Sequence, residues 1–223
     1  MLKKIVLLTK RNSYIGREYA SALQNKKIYF SVIQIGKEKF IDHIEDARCG
    51  GLWRPPILDY NKGCKIFNLP DFNLEEFRKI ILEEEITLGI QADIGCILKP
   101  SSINLFRDGI INFHPGDLPN YRGCSAPEWQ LFEGNEVICS CHYIDHGIDT
   151  GNIIGKKELC LNKNSYNQMR ASVYPEISKY MVKVLAQYMN GDELKGYPQG
   201  AGKYRKYIGS EKIEYLAKKL FVK

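Results

Sequence analysis

The chain contains 223 residues, of which 44% are hydrophobic and 26% charged, and its formal net charge is +6. This composition is typical of a globular protein, and the length suffices for one sizeable core but is short for two full domains. No stretch of eighteen apolar residues occurs, so the sequence excludes a transmembrane helix. The apolar patch near the N-terminus is too short for a signal peptide, and we interpret it as a first strand.

The seven cysteines include no CxxC pair. Free thiols in a cytoplasmic protein fit this pattern better than a disulfide framework or a zinc site. Basic residues concentrate at both ends, with seven Lys or Arg against one Glu in residues 1–30 and eight against two in residues 195–223. Such charges form a solvated face or attract an anionic substrate such as a nucleotide. They lack the density of a nucleic-acid-binding module, so we expect no nucleic-acid partner.

Short apolar runs along the chain predict strands. In the first half these runs are rich in β-branched residues and lie at residues 4–9, 28–35, 66–69, 86–92 and 109–113. Two further strands, at residues 136–144 and 152–159, follow each other directly. Glycines and prolines around Trp53 predict a long loop over residues 36–63. Strands that alternate with helices indicate an α/β fold with a parallel sheet covered by helices on both faces.

Periodic apolar residues predict helices at residues 14–24, 73–85 and 128–132. Asn73 is the candidate N-cap of the second helix, whose apolar face comprises Leu74, Phe77, Ile80 and Ile81. A long helix opens at Ser165, spaced from Gln168 as a capping box, and runs to Met189. Pro175 predicts a kink or a fresh start within it. Residues 191–223 are basic and rich in Gly and Tyr, and they predict a short C-terminal arm or hairpin.

Two loops carry the densest group of chemically active side chains. One predicted strand ends on Asn112 and His114 and enters a loop rich in Pro and Gly, and a second loop, residues 144–152, holds Asp145 and Asp149. Ligands of parallel α/β sheets bind at the carboxyl ends of strands, so these side chains are placed to meet a substrate. Asn, His and Asp together suggest acyl-group chemistry, in which donors stabilise an oxyanion and an acid or base moves protons.

Other interpretations stay open at this point. A histidine beside a proline is often structural, and Asp with Gly often forms only a turn. The spacings of His114, His142 and His146 relative to the aspartates match no standard ligand set, so we expect no metal. GxGxxG and Walker-type loops are absent from the sequence, which argues against a dinucleotide enzyme and a P-loop NTPase.

The two loops resemble the signature of the folate-dependent formyltransferase family. The matching segments are Asn112-Phe113-His114-Pro115, Leu118-Pro119, Tyr121-Arg122-Gly123 and Asp145-His146-Gly147-Ile148-Asp149-Thr150-Gly151. The resemblance is specific between residues 95 and 155 and extends to the helix that ends near Met189. It implies a Rossmann-like, mostly parallel twisted sheet with an antiparallel member among its last strands. It also implies a catalytic domain of residues 1–190 followed by an arm of residues 191–223.

The resemblance implies transfer of a formyl group from 10-formyltetrahydrofolate to an amine, without a metal. Asn112, His114 and Asp149 match the catalytic residues of the family. Asn112 and protonated His114 would donate hydrogen bonds to a developing oxyanion. Asp149 would orient His114 and help to relay the proton that the amine loses.

The pterin pocket of the family would be lined, by position, by Cys96, Ile97, Leu98, Tyr143, Ile144 and Asp145. Backbone groups of loops can pair with the amide-like edge of a pterin, while apolar side chains sandwich its ring. Ile97, Leu98 and Ile144 could equally be core residues. His142 lies in a predicted strand and fits a packing or supporting role better than proton transfer.

Departures from the family pattern bear on the acceptor. Thr9-Lys10-Arg11-Asn12-Ser13 stands where the purine-pathway enzyme has a Gly-Ser-Asn-type loop for its ribotide phosphate, which argues against that substrate. The segment after the core is shorter than the additional C-terminal domain of the tRNA enzyme. The chain also starts directly on the first strand, whereas a formyl-folate hydrolase would bring a further N-terminal domain. We therefore expect the sugar N-formyltransferase branch, with a nucleotide-linked amino sugar as acceptor and a role in lipopolysaccharide or surface-glycan synthesis.

The candidate substrate-binding residues are Lys10, Pro115, Gly116, Tyr121 and Arg122. The aromatic side chains that could stack on a sugar are Tyr121, Trp129, Tyr197 and Tyr204. Residues 199–207 would contact the acceptor or, equally, the core or the partner in a homodimer. Asp117, where the family usually has an uncharged residue, could hold an ammonium or a hydroxyl. A phosphoribosylglycinamide formyltransferase-like enzyme and a non-enzymatic nucleotide-sugar-binding protein remain the alternatives.

Overall fold

The computed structural model describes residues 2–36, 43–56 and 64–221 of the chain. The strands are β1 (Ile5–Lys10), β2 (Ser31–Ile35), β3 (Ile66–Leu69), β4 (Leu88–Ala92), β5 (Ile110–His114), β6 (Arg122–Gly123), β7 (Ile138–Tyr143), β8 (Ile153–Glu158) and β9 (Tyr204–Arg205). The helices are α1 (Tyr14–Asn25), α2 (His43–Cys49), α3 (Glu75–Glu83), α4 (Pro100–Ile103), α5 (Ala126–Phe132), α6 (Tyr166–Met189) and α7 (Ser210–Phe221).

Seven of these strands form one sheet in the order β3-β2-β1-β4-β5-β7-β8. Strands β1 to β5 run parallel, whereas β7 is antiparallel to β5 and β8 is antiparallel to β7. The chain adds β2 and β3 on one side of β1, and β4 and β5 on the other, so its winding reverses between β1 and β4. Ligands bind at the carboxyl ends of strands at such a reversal. The sheet confirms the expected α/β, Rossmann-like fold with an antiparallel member.

Alternate residues of β1 pack against helices on opposite faces of the sheet. Ile5 and Leu7 belong to the core that also holds α1 and α6, whereas Val6 and Leu8 pack with side chains of α3. Because both faces are covered, the strand is a continuous apolar run rather than an alternating one. Burying each of these side chains stabilises the fold by about 1.5–3 kcal/mol.

Serines start α1 and α6, two of the helices that pack against this core. Ser13 Oγ accepts a hydrogen bond from the backbone N of Gly16 at the start of α1. Ser165 Oγ accepts one from the backbone N of Gln168, 3.1 Å away, at the start of α6, which confirms Ser165 as an N-cap. The helix α6 continues through Pro175, so the fresh start expected there does not occur.

Asn73 is not the N-cap of α3, because Leu74 occupies that position. The Asn73 side chain serves the start of α4 instead, where its Oδ1 accepts hydrogen bonds from Lys99 N at 2.8 Å and Ser102 Oγ at 3.1 Å. A tertiary contact has thus replaced the local cap. Leu74 is exposed, so the buried face of α3 is formed by Phe77, Ile80 and Ile81 alone.

Other differences concern segments without a strong periodic pattern. Part of the loop predicted over residues 36–63 is the helix α2, while residues 37–42 and 57–63 of that loop lie outside the described residues. Helix α4 was not predicted. The seven cysteines are unpaired, and Cys139 and Cys141 are both buried in the core that holds α1 and α6. No helix in the described ranges is long and apolar enough to cross a bilayer.

An arm or hairpin was expected for residues 191–223, and the described part, residues 191–221, pairs with other strands of the chain rather than with itself. Strand β9 pairs in parallel with β6, and Tyr197 forms an antiparallel bridge with Ile153 of β8. Helix α7 packs against α5, and Ile208 and Leu216 lie in the same core as α1 and α6. The segment is therefore tied to the sheet and to the loop after β5. The division of the chain at residue 190 stays a prediction.

Candidate active site

Strands β4 and β5 end side by side where the winding of the sheet reverses. Gln91 of β4 is paired in register with Asn112 of β5. Asn112 and His114 are two residues apart in an extended strand, so their side chains leave the same face of the sheet. Phe113, between them, is buried in the core on the other face. Strand geometry thus brings Asn112 and His114 together at the carboxyl edge of the sheet.

The ring of His114 is held at both nitrogens. Its Nε2 lies 2.6 Å from the backbone O of Tyr121, and a carbonyl oxygen can only accept a hydrogen bond, so Nε2 carries the hydrogen. Its Nδ1 faces Oδ2 of Asp149 at 3.5 Å. Nδ1 is therefore the nitrogen that takes up or releases a proton, and it does so beside a carboxylate.

Gly116 permits the close contact between His114 and Tyr121. A Cβ atom at residue 116 would lie 2.6 Å from both Nε2 of His114 and the backbone O of Tyr121. Any side chain at this position would force the ring and the carbonyl apart. Gly116, predicted to bind substrate, thus supports the histidine.

Asp149 has a backbone conformation that few residues with a side chain adopt, since its φ is +54°. Its Oδ2 accepts a hydrogen bond from Gly123 N at 2.8 Å, and its Oδ1 lies 3.6 Å from His142 Nε2. Burial by itself raises the pKa of this carboxyl, but His114, His142 and the Gly123 hydrogen bond outweigh burial and lower the pKa to about 2. Asp149 is therefore ionised near neutral pH.

Burial lowers the pKa of His114 below its ordinary value, and the Asp149 carboxylate and the Tyr121 carbonyl offset this only in part. His114 is 6% exposed. The neutral ring, with its hydrogen on Nε2 and a lone pair on Nδ1, therefore predominates at neutral pH. The protonated His114 that the family resemblance implies is thus not the resting form.

His142 is buried in β7 directly opposite Asn112. Its Nδ1 lies 2.8 Å from the backbone O of Tyr143, so Nδ1 carries the hydrogen and Nε2 accepts one from Asn112 Nδ2 at 3.2 Å. The second N–H of the Asn112 amide can then donate to a ligand. This geometry fits the supporting role expected for His142.

Two cavities meet at these residues, one of about 300 Å³ and one of about 150 Å³. Gln91, Asn112 and Asp149 line both cavities. His114 faces the larger cavity, and His142 faces the smaller one. Groups bound in the two cavities would therefore contact the same side chains, as transfer of a group between two substrates requires.

Five of the six residues predicted to line a pterin pocket lie along the smaller cavity: Cys96, Ile97, Leu98, Ile144 and Asp145. Tyr143 does not, because its hydroxyl donates to Leu194 O at 2.7 Å and its side chain lines a separate cavity. Within β7 successive side chains point to opposite faces, so Tyr143 points away from the cavity that its neighbour His142 lines.

The other predicted substrate-binding residues are dispersed. Pro115 lines the larger cavity. Lys10 pairs with Asp93 at 2.7 Å, and Asp93 lies on the wall of the same cavity. The Tyr121 hydroxyl donates to Glu133 at 2.7 Å, so only its backbone reaches His114. The Arg122 guanidinium donates to Gln199 at 2.8 Å.

Two of the four aromatic side chains proposed to stack on a sugar have internal roles. The Trp129 Nε1 donates to Lys206 O at 2.8 Å, and the Tyr121 ring lines a cavity away from His114. Tyr197 and Tyr204 are exposed. Asp117 pairs with Lys156, so its carboxylate already has a cation.

Supporting residues after β5 gave no signal in the sequence. Gln130 and Ser140 are fully buried. Gln130 Nε2 donates to Pro115 O at 3.0 Å, its Oε1 accepts from Asp117 N at 3.1 Å, and Ser140 Oγ donates to Gly116 O at 2.7 Å. These side chains satisfy the backbone groups of the loop and hold it against β7, which only the folded chain reveals.

A buried ionic cluster forms part of the larger cavity's wall. Arg170 is 2% exposed and pairs with Glu45 at 2.9 Å and Glu128 at 3.4 Å, while Arg48 pairs with Glu45 at 2.9 Å. Both arginines line the cavity. Since two arginines face two glutamates, the cluster supplies hydrogen-bonding groups without a net charge. Among the described residues, no group of three or more His, Cys, Asp or Glu side chains is arranged to hold a metal ion.

The parallel sheet with antiparallel edge strands, and the Asn112, His114 and Asp149 group between two cavities, define an α/β protein with a candidate site at the carboxyl ends of its strands. A profile of the family described as formyl transferase matches residues 59–185, which is more than half of the chain. The protein therefore belongs to the formyl transferase family, and the resemblance in its sequence is confirmed.

The chain is similar to members of several branches. It is 31% identical over 108 residues to a methionyl-tRNA formyltransferase of Ruminiclostridium cellulolyticum, a match that covers 47% of this chain and 35% of that protein. The chain spans well under half the length of the curated relatives that it matches.

Two of the many solved structures that share the fold match most of this chain. One is the formyltransferase PseJ from Anoxybacillus kamchatkensis in complex with UDP-4,6-dideoxy-4-formamido-L-AltNAc and tetrahydrofolate, with a TM-score of 0.60 and 20% identity over 98% of this chain and 94% of that chain. The other is glycinamide ribonucleotide transformylase 1 from Symbiobacterium toebii, with a TM-score of 0.61 and 16% identity over 89% and 95%. At these identities the similarity shows the fold alone.

Proposed function

We propose that the protein is a folate-dependent N-formyltransferase that transfers the formyl group of 10-formyltetrahydrofolate to an amine. The observation that carries this proposal is the position of Asn112 and Asp149 on the walls of both cavities. Membership of the formyl transferase family supports the reaction class, and the shared fold with PseJ, whose structure contains tetrahydrofolate, supports the donor. We assign the donor to the smaller cavity and the acceptor to the larger one.

The smaller cavity fits the chemistry of a pterin ring. Ile97 and Ile148 line it and are 71% and 50% exposed, although both are apolar. Exposed apolar side chains beside a cavity are available to cover a flat ring, and loop backbone groups can pair with its amide-like edge. When bound there, the folate supplies the formyl group next to Asn112.

The three side chains have distinct roles in this proposal. Asn112, oriented by His142, donates its second N–H to the formyl oxygen. His114 accepts the proton of the attacking amine at Nδ1, because Nε2 is already bonded to Tyr121. The bond between N10 of the folate and the formyl carbon then breaks, and N10 takes up this proton as tetrahydrofolate leaves. Asp149 is ionised and lies 3.5 Å from Nδ1, so it stabilises the imidazolium that results.

The proposed acceptor is a nucleotide-linked amino sugar. Balanced ion pairs, including Arg170 with Glu45 and Lys10 with Asp93, lie on or beside the wall of the larger cavity. Such a wall suits the hydroxyl and amide groups of the sugar. The ring of Tyr204 lies against Gly123 and is exposed, which makes it a candidate for stacking on a sugar. The PseJ complex contains a nucleotide-linked formamido sugar.

This proposal also includes three predictions: a role in lipopolysaccharide or surface-glycan synthesis, a cytoplasmic location and a homodimer.

Glycinamide ribonucleotide is the second candidate acceptor, because the Symbiobacterium enzyme has the same fold over nearly its whole length.

The decisive assay mixes the protein and 10-formyltetrahydrofolate with UDP- and dTDP-linked amino sugars, glycinamide ribonucleotide or methionyl-tRNA. Release of tetrahydrofolate and formation of a formamide are then measured. We expect turnover with at least one nucleotide-linked amino sugar. Turnover of glycinamide ribonucleotide alone would instead place the protein in purine synthesis. Calorimetric binding of a nucleotide-sugar without binding of folate would indicate a non-enzymatic binding protein.

A further inference from the structure

A C-terminal strap, defined as residues 197–205, crosses both loops of the candidate active site. At one end, Tyr197 exchanges two backbone hydrogen bonds with Ile153, of 2.8 and 2.9 Å. At the other end, Lys203 N donates to Pro119 O at 3.0 Å, and Lys203 O accepts from Arg122 N at 3.1 Å. One end is thus anchored just after the loop of Asp149, and the other to the loop that follows His114.

Gln199 lies between these two anchors and binds both loops with one amide group. Its Nε2 donates to the backbone O of Asp149 at 3.0 Å and of Gly151 at 2.6 Å. Its Oε1 accepts from Nη2 of Arg122 at 2.8 Å. The side chain therefore links the turn that carries the carboxylate to the loop after the histidine.

These contacts hold Asp149 at both its backbone and its side chain. Arg122, bonded to Gln199, directly precedes Gly123, whose N donates to Asp149 Oδ2 at 2.8 Å. The left-handed φ of Asp149 is unfavourable for a residue with a side chain. It persists when the surrounding structure holds the residue, as the Gln199 and Gly123 hydrogen bonds do here.

The strap can approach the site because glycines lie at its closest contacts. A Cβ atom at Gly123 would lie 2.5 Å from the backbone O of Arg205. The corresponding atom at Gly202 would overlap the backbone O of Pro119. These two contacts place the strap directly on the loop after His114.

We propose that the strap is part of the catalytic unit and that Gln199 is a positioning residue, which sets the distance between the Asp149 carboxylate and Nδ1 of His114. The kinetic part of this inference rests on the proposed formyl transfer. The geometry also predicts a change in the pKa of His114, which can be measured without any turnover. The positioning role of Gln199 can therefore be tested separately from the proposed formyl transfer.

The kinetic test compares Gln199→Ala and Gln199→Glu with the matched control Gln187→Ala, which removes an exposed glutamine of α6. We expect both Gln199 variants to lower kcat by about 10- to 100-fold, since small displacements of catalytic groups have effects of this size. The KM values of donor and acceptor should stay within about two-fold of wild type. The carboxylate in Gln199→Glu would still accept from Arg122 but has no N–H for the Asp149 and Gly151 carbonyls. A wild-type rate in Gln199→Glu would therefore overturn the proposal.

The second test follows the ring signals of the four histidines by NMR as a function of pH. The charged or titratable groups that act on His114 are Asp149, which raises its pKa, and His142, which lowers it. Moving the carboxylate away should therefore lower the pKa of His114 in Gln199→Ala and leave it unchanged in Gln187→Ala. Gln199→Glu is not used for this measurement, because its added negative charge would itself raise the pKa of His114. An unchanged His114 titration in folded Gln199→Ala would overturn the proposal, whether or not the wild type transfers a formyl group. If Gln199→Ala does not fold, Gln199→Met, which keeps the side-chain length and adds no charge, carries both measurements.

Discussion

The amide Nδ2 of Asn112 lies 3.2 Å from Nε2 of His142, and the two residues are register partners of the antiparallel strands β5 and β7. In the neutral ring the direction of this hydrogen bond is determined, because Nδ1 of His142 already donates to the backbone O of Tyr143. Asn112 must therefore turn its N–H groups, and not its oxygen, towards His142. The buried histidine thus decides which way the Asn112 amide faces the cavities.

Replacing His142 by Leu should lower kcat by about 10- to 100-fold. The Asn112 amide is then no longer oriented, and the loss should stay below the roughly 100- to 1,000-fold effect of deleting an oxyanion-binding donor outright. His142→Gln places an acceptor near the former Nε2 and should recover most of the rate. Steady-state kinetics of tetrahydrofolate release measures both variants. Equal losses in the two variants would contradict an orienting role.

Replacing His114 by Ala should lower the rate by about 100- to 10,000-fold, the usual range for a residue that both accepts a proton and supports charge. The matched control is His146→Ala, which removes an exposed histidine from the loop of Asp149. The control should keep at least half of the wild-type rate. Thermal unfolding checks that the His114 variant is folded, since it also loses a hydrogen bond worth about 1 kcal/mol. Activity within a few-fold of wild type would disprove the assigned role.

The pH dependence of kcat/KM should report the neutral form of His114. Because burial lowers its pKa, activity should persist below the ordinary histidine pKa of about 6.5 and fall only at more acidic pH. Asp149→Asn removes the group that raises the pKa of His114, so the residual activity of this variant should fall at still lower pH. Asn also tolerates the left-handed φ at this position. If the acidic limb of the kcat/KM profile lay at the same pH in Asp149→Asn as in the wild type, the group that titrates there would not be His114.

The same variant tests a prediction about acid stability. The pKa of Asp149 is lowered to about 2 in the folded protein, below the ordinary aspartate value of about 3.9, so its ionised form stabilises the fold by about 2 kcal/mol. This contribution is fully present above pH 4 and is lost as the pH falls through 2. Urea unfolding should therefore show a wild-type advantage over Asp149→Asn at pH 5 that shrinks towards pH 2. A difference independent of pH would contradict the low pKa.

Gly116→Ala should impair both stability and activity. Its Cβ would lie 2.6 Å from His114 Nε2 and from Tyr121 O, so the ring and the carbonyl must separate. We expect a loss of about 1–3 kcal/mol in unfolding free energy, together with at least a 10-fold loss of kcat. Gly134→Ala is the control, since its φ is +81° but an added Cβ meets nothing within 4 Å. The control should lose stability without losing activity, whereas full activity in Gly116→Ala would contradict the constraint on His114.

Much of the fold was predictable because it depends on local patterns. The parallel strands are buried on both faces, so β1 is a continuous apolar run, and Ser165 caps α6 through neighbours in sequence. The C-terminal strap gave no such signal, because β6 and β9 are two residues long and pair over some eighty residues of chain. Pairings of this kind depend on the tertiary fold and leave no periodicity in the sequence.

In the site, too, local sequence predicted some features, whereas others depend on the tertiary fold. The motif placed Asn112, His114 and Asp149, and the strand brought two of them together, but the sequence could not reveal which nitrogen of His114 is bonded. The sequence also placed Tyr143 in the pterin pocket together with its neighbour Ile144, but the Tyr143 side chain faces away from the cavity that Ile144 lines. Gln130, Ser140 and Gln199 act by bonding to backbone atoms. Because every residue has backbone atoms, the partners in these contacts can be of any residue type, so no sequence motif indicates them.

Replacing Ile97 by Gln tests which cavity binds the folate. Ile97 lines the smaller cavity and is largely exposed, so the substitution removes apolar contact with the donor at little cost in stability. Losing about 1 kcal/mol of such contact should raise the KM for 10-formyltetrahydrofolate by about 5-fold. The KM for the acceptor should not change, because Ile97 is not among the residues that line the larger cavity. Leu52→Gln, at another exposed apolar residue, should change neither constant. If Ile97→Gln raised the KM for the acceptor instead, the assignment of the two cavities would have to be exchanged.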